Sequence, residues 1–328
     1  MLIRAAHVFT LKWLFVAFLA GWALGLLYLF WGNDNVRFYA HLIGIQDKWA
    51  AHFSPSTTPR LIITGGSSCD FSIDAERLTT QSGVPVINAG LEAGLGLSGI
   101  LLYASRLTQP GDTFIFAAEP DSLSEPPGFP LEALRLFIFR HEWDLVKQSR
   151  EITGEAVPLS SLIFAARPGL DGFAASVGRF ITRTPYRYDS ARVNASGFMV
   201  TSFRFPLDSS EHALRLTPEN RALLVHFRDW AAKKQVHMIY SLPWRYAASD
   251  QLIVQRRLNA QFLITLSEIM PVLHDEALGA QSEPDMFSDT TWHLNEQAAE
   301  ARSQMILQEV QGHRFWTHNE LLAASGSL

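Results

Sequence analysis

LIITGGSSCDFSID (residues 61–74) is the stretch on which the reading of this chain turns. Four strand-like apolar residues run into two glycines and two serines. A buried strand that breaks at a sharp turn before a helix produces such a pattern. In an open parallel sheet that turn lies at the carboxyl edge, where ligands bind. Ser67 or Ser68 could therefore be a nucleophile, and a plain strand-to-helix connection gives the same letters. The difference lies in whether the rest of the chain supplies a base, an orienting acid and an oxyanion pocket.

Outward from this stretch, strand and helix signals alternate. RLIIT is the first strand, and FSIDAERLTTQSG is a helix with Asp74 near its start and Gly83 at its end. VPVINAG is a second strand, and LSGILLYASRLTQPGD a helix closed by Pro110-Gly111. TFIFAAEP is a third strand. The alternation lapses over residues 122–216, read as an insertion or cap in which Tyr186, Arg187, Tyr188 and Arg192 could line a groove. It resumes with a helix capped by Thr217 with Pro218 at its first position. VHMIYSLP is a fourth strand, SDQLIVQRRLNAQFLITLSEIM a helix, PVLHD a short fifth strand and EQAAEARSQMILQEVQ the last helix. Such alternation predicts an α/β domain, a five-stranded parallel sheet with helices on both faces, over residues 61–320.

The N-terminus reads differently. Trp13 to Asn33 holds 21 residues without a charge, and about 20 apolar residues cross a hydrocarbon core. Arg4 and Lys12 precede it, and Asn33-Asp34-Asn35 follow. The positive-inside rule then predicts a cytoplasmic N-terminus and an exported remainder. A cleaved signal peptide would have a shorter apolar core and a small-residue cleavage site. This stretch ends in Leu-Tyr-Leu-Phe-Trp, so residues 1–33 are expected to be a signal anchor. Residues 34–60 are expected to be a linker carrying a short amphipathic helix.

Composition narrows the function classes. The net charge of −5, without a basic run interleaved with aromatics, argues against nucleic-acid binding. Cys69 is the single cysteine, so no intrachain disulfide forms and the spacing for a cysteine zinc site is absent. Its place in the opening motif admits a Cys nucleophile, although cysteine more often serves as a small buried residue. No metal or other cofactor is expected.

The polar groups expected at the carboxyl edge of the sheet carry the chemistry. They are Gly65-Gly66-Ser67-Ser68, Asn88-Ala89-Gly90, Glu119-Pro120-Asp121, Ser241, and Asp289 with His293. A serine hydroxyl needs an adjacent base, and an imidazole titrates near neutral pH. A carboxylate fixes the imidazole tautomer, and amides near glycines can stabilise an oxyanion. Acyl transfer fits that set.

IITGGSS…F, VINAG…G and SDTTWHLN together resemble blocks one, two and five of the GDSL/SGNH hydrolase superfamily. The stretches GGSSCDFSID, VPVINAGLEAGLG and DTTWHLN are more closely similar to its membrane-anchored subgroup in cell-surface polymer modification. That subgroup includes the DltD-type proteins of teichoic acid D-alanylation and relatives of the alginate and cellulose O-acetylation proteins. The likeness covers about residues 60–120 and 235–310. It implies a three-layer α/β/α SGNH-like domain with a Ser-His-Asp triad: Ser67 as nucleophile, His293 as base and Asp289 as its partner. Ser68 is the second choice of nucleophile. Gly90 and the Ser67 backbone amide would be oxyanion donors, with Asn88 filling part of a gap. That gap arises because AAEPDS stands where the block-three asparagine would be, and Gly66 replaces the usual aspartate. The Asp-to-His spacing is one residue wider than usual. The implied activity is a periplasmic, inner-membrane-anchored O-acyltransferase acting on an exopolysaccharide or cell-wall polymer, with acetyl the expected group. Its implied partner is a membrane-bound acyl-exporting protein, since acetyl-CoA is cytoplasmic. A carbohydrate esterase with the same triad, and a non-catalytic scaffold subunit of a polysaccharide secretion complex, are the alternatives.

Overall fold

The strand that opens the motif is buried along its whole length. In the computed structural model, which describes residues 2–55, 58–166, 170–183, 186–188, 190–201, 206–207 and 214–327, it is β1 (Leu61–Thr64). Its side chains alternate: Leu61 and Ile63 join one apolar cluster while Ile62 joins another. That two-residue period puts a core on each face of the sheet. β1 pairs in parallel with β2 (Val86–Asn88) on one side and β3 (Thr113–Phe116) on the other. β3 pairs in parallel with β4 (His237–Tyr240), giving the order β2-β1-β3-β4.

The sheet thus has four strands, where five were expected. PVLHD lies in the fifth position but makes a single parallel bridge, between Tyr240 and Val272. Pro271, which has no N–H to donate, only accepts there, from the Tyr240 amide at 2.9 Å. A separate pair, β5 (Arg245–Tyr246) and β6 (Ala280–Gln281), is also parallel.

Local signals set the helix ends. Asp74 caps α4 (Ala75–Ser82) by accepting the Arg77 amide, after a short α3 (Ser67–Asp70). Gly83 ends α4 at φ +68°, a left-handed conformation that favours glycine. Thr217 caps α11 (Pro218–Lys233), and Asn295 caps α13 (Glu296–Gln311). Leu78 of α4 and Ile306 and Leu307 of α13 cover one face of the sheet with Leu61, Ile63, Ile115 and Ile239. α5 (Gly96–Ser105), α11 and their neighbours supply the core on the other face.

Two segments depart from expectation, residues 34–60 and 122–216, while the N-terminal helix is as long and apolar as expected. α1 (Leu2–Leu27) runs on through a π-helical turn, Tyr28–Gly32, and its apolar part is long enough to cross a membrane. Residues 34–60, expected as a linker, open with an 18-residue helix, α2 (Asp34–Ala51), that belongs to the main core. Val36, Phe38, Tyr39, Leu42 and Ile43 are buried there, Trp49 donates to the Val86 carbonyl at 2.8 Å, and Gln46 donates to that of Gly90 at 2.8 Å. The expected insertion, 122–216, divides. After α6 (Pro120–Ser124), α7 (Leu131–Arg140) and α8 (Trp143–Thr153) pack into the core through Leu134, Phe137, Leu145 and Ile152. α9 (Leu159–Ala165) and α10 (Leu170–Thr182) follow. Parts of the expected loops, residues 167–169, 184–185, 189, 202–205 and 208–213, lie outside the described residues. After α12 (Leu252–Ser267), a last helix, α14 (His318–Ser327), carries the ordered chain past residue 320 and buries Leu321.

Candidate active site

The turn after β1 singles out one side chain. Of residues 61–70, nine are buried and Ser67 alone is partly exposed. It opens α3 beyond the carboxyl end of β1. Its hydroxyl lies 2.8 Å from His293 Nε2. His293 Nδ1 lies 2.7 Å from Asp289 Oδ1. A carboxylate can only accept, so Nδ1 carries the proton toward Asp289, and Nε2 is left to accept from Ser67. Both distances fall in the range for a nucleophile, its base and the base's orienting group.

Asp289 and His293 are presented by a small closed loop. Phe287 and Leu294 form an antiparallel bridge across its neck. The Ser288 amide donates to the His293 carbonyl at 2.8 Å, and Thr290 Oγ1 accepts from the amides of Trp292 and His293 at 3.2 and 3.1 Å. Asn295 then caps α13, which fixes the loop's exit. The four-residue spacing is the length of this turn.

The imidazole is held from its faces as well. His293 is 3% exposed. Phe71, wholly buried one residue past α3, stacks on it with ring centres 4.0 Å apart and planes 17° apart. Tyr188 meets it edge-on at 6.4 Å.

Arg187 completes the chain of contacts by donating to Asp289 Oδ2 at 2.6 Å. Burial of Asp289 works against its ionisation. The hydrogen bond and charge of His293, followed by those of Arg187, outweigh burial and hold its carboxyl below the ordinary range. Arg187 was expected only as a groove residue, and no sequence signal links it to Asp289. Of the other three, Tyr188 lies on Phe71 and His293, Tyr186 donates to Asn35 Oδ1 at 2.5 Å, and Arg192 is exposed. Burial, then the charge of Asp289, push Tyr188 up to about 12.

Several expected roles fail on hydrogen-bond accounting. Ser68 is 1% exposed, and its hydroxyl has no partner. Cys69 is buried, its thiol directed at the Ala117 carbonyl, and burial pushes it well above its usual range. Neither is available as a nucleophile. The Gly90 amide is committed to Asn88 Oδ1 at 2.9 Å. Asn88 in turn donates to the carbonyls of Cys69 and Ile73 at 3.2 and 2.9 Å. These groups tie the end of β2 to the Ser67 turn instead of forming an oxyanion pocket. The Ser67 amide has no acceptor among the described residues.

Glu119, just past β3, is buried, and its Oε1 accepts the Ser68 amide at 2.8 Å. A Cβ on Gly66 would collide with the Glu119 carboxylate, and one on Gly65 with the Ala117 carbonyl. Gly66 has φ −75°, so space and not backbone conformation demands glycine there. Among the described residues, no group of three His, Cys, Asp or Glu side chains gathers in a way that could hold a metal ion.

No protein-family model matches the chain, and no curated protein matches it. A solved structure from Streptococcus pneumonia, provisionally named as a platelet activating factor, aligns at 13% identity over 81% of this chain and 90% of that one. The TM-score is 0.26, too low for the likeness to support any argument.

Proposed function

We propose that this chain is a serine acyltransferase, anchored in the inner membrane by α1 with its N-terminus in the cytoplasm, that O-acylates an exported polysaccharide in the periplasm. The observation that carries the reading is the unbroken hydrogen-bond chain Ser67–His293–Asp289, in which the serine is the one partly exposed residue of its turn. Ser67 Oγ attacks the carbonyl of an acyl donor while His293 Nε2 takes its proton, and Asp289 stabilises the imidazolium. The tetrahedral intermediate collapses as the leaving group takes that proton, leaving an ester on Ser67. A sugar hydroxyl then gives its proton to His293 as it attacks the ester; the bond from the acyl carbon to Ser67 Oγ breaks, Ser67 recovers the proton from His293, and the sugar departs acylated. An acetyl donor would be presented by an integral membrane partner.

The test uses full-length protein in detergent with p-nitrophenyl acetate, beside Ser67→Ala and His293→Ala. Loss of turnover in both variants, with a trappable acyl-Ser67 in the parent, is expected. Equal traces in all three would refute catalysis and leave a scaffold. Adding polysaccharide and measuring ester gained by polymer against acetate released separates transfer from hydrolysis.

A further inference from the structure

Helix α10 is amphipathic in the wrong sense for a helix facing water. Over the part whose side chains are described, residues 174–182, its polar groups turn inward. Ser176 hydrogen-bonds the Tyr28 hydroxyl at 3.1 Å, and Arg179 pairs with Asp34 at 3.0 Å. Its apolar groups turn outward: Phe180 is 86% exposed and Ile181 73%, with Val177 beside them. The residues it grips, Tyr28 and Asp34, flank the point where α1 ends. Trp31, at that same point, is 70% exposed. One cleft is lined jointly by Tyr28, Trp31, Val177, Phe180 and Tyr186.

We infer that α10 is an interfacial helix, lying in the headgroup layer of the bilayer that α1 crosses, with Phe180 and Ile181 turned into the lipid. The inference rests on the anchor reading of α1. Three observations choose lipid as the occupant. The apolar face of α10 continues the apolar surface of α1, whose span Phe9–Gly32 is only 11% buried. It sits at the last turn of that span, the depth at which aromatic side chains collect. Its polar side is already satisfied by the chain, leaving an apolar stripe to enter the acyl boundary as interfacial helices do.

The placement has a consequence for the site. Tyr186, just beyond α10, donates to Asn35 at the start of α2, and its neighbours Arg187 and Tyr188 touch Asp289 and His293. The membrane-seated helix and the imidazole are thus joined through a few residues, which would hold the site close to the membrane surface.

The experiment places a nitroxide on Phe180→Cys, Ile181→Cys, Leu19→Cys and Lys233→Cys in the full-length protein, in nanodiscs of phosphatidylethanolamine and phosphatidylglycerol. The native Cys69 is buried and serves as an unlabelled control. Relaxation by oxygen, which concentrates in lipid, is compared with relaxation by a water-soluble nickel chelate. Labels at 180 and 181 should favour oxygen several-fold over the label at 233 and resemble the label at 19. If 180 and 181 match 233 while 19 remains lipidic, the inference is overturned and the anchor survives. If 19 is also aqueous, both fall. Shielding of 180 and 181 from both probes would overturn it in favour of a protein partner.

Discussion

Replacing Arg187 by glutamine removes the one cation on the outer oxygen of Asp289. A hydrogen bond to a charged group contributes about 1.5–3 kcal/mol. Arg187 is 47% exposed, however, and solvent screening moves its share to the low end, about 1–1.5 kcal/mol. Since about 1.4 kcal/mol corresponds to a factor of ten, kcat should fall about tenfold as Asp289 loses its fixed orientation. The pH profile gives a second readout. Arg187, after His293, helps hold the Asp289 carboxyl below its ordinary range, so without it that carboxyl takes up its proton at higher pH. The acidic limb of kcat/KM, which reports the free base, should therefore move to higher pH. Arg187→Lys retains the charge without the planar fork, and should restore the limb while recovering only part of kcat. The assay is steady-state hydrolysis of p-nitrophenyl acetate between pH 5 and 9. A folded glutamine variant with parental kcat and an unmoved limb would refute the role assigned to this contact.

Two further outcomes follow from the buried acids beside the serine. Asp70 is wholly buried with both carboxyl oxygens unpartnered, and burial, then Glu119 and Glu92, push it well above the carboxylate range. The folded state therefore keeps a proton that the unfolded chain releases above about pH 3.9, and stability falls as pH rises through that point. Asp70→Asn, which has no proton to lose, should raise the Tm at pH 7. The gain should shrink toward pH 4, and an equal gain at both pH values would count against the argument. Gly66→Asp should destabilise the parent but be tolerated beside Glu119→Asn, with a coupling of about 0.5–3 kcal/mol in a double-mutant cycle from thermal melts. Additive effects would mean that the two side chains do not share space.

What could be read in the sequence follows from the range of the interactions. The first four strands, the caps Asp74, Thr217 and Asn295, and the stop at Gly83 depend on neighbours a few residues away, and the letters carry them. The fifth strand was over-read because apolar Val272 and Leu273 look like a strand whether or not their backbone pairs. The amphipathic helix expected in 34–60 is present, but its burial in the core was not legible, because its partner, the end of β2, lies some 40 residues on. Placement after successive strands put Ser67 or Ser68, His293 and Asp289 among the candidates, and the resemblance chose Ser67 and implied the three roles. Neither Arg187 on Asp289 nor the commitment of the Gly90 amide to Asn88 could be named. Both depend on which of several donors reaches an acceptor first, and that is decided in three dimensions.

The space beside Gly66 is taken by the Glu119 carboxylate. A side chain on residue 66 would need the Glu119 carboxylate to move. The pair also redistributes donors. Glu119 takes the Ser68 amide and Asn88 takes that of Gly90, while the Ser67 amide has no acceptor among the described residues. One oxyanion donor is worth about 2.7–4 kcal/mol, so a site short of donors should be slow on ordinary esters. It would depend on a donor whose acyl group is already activated and positioned. That requirement fits an enzyme that receives its acyl group from a membrane partner better than one that hydrolyses whatever ester diffuses in.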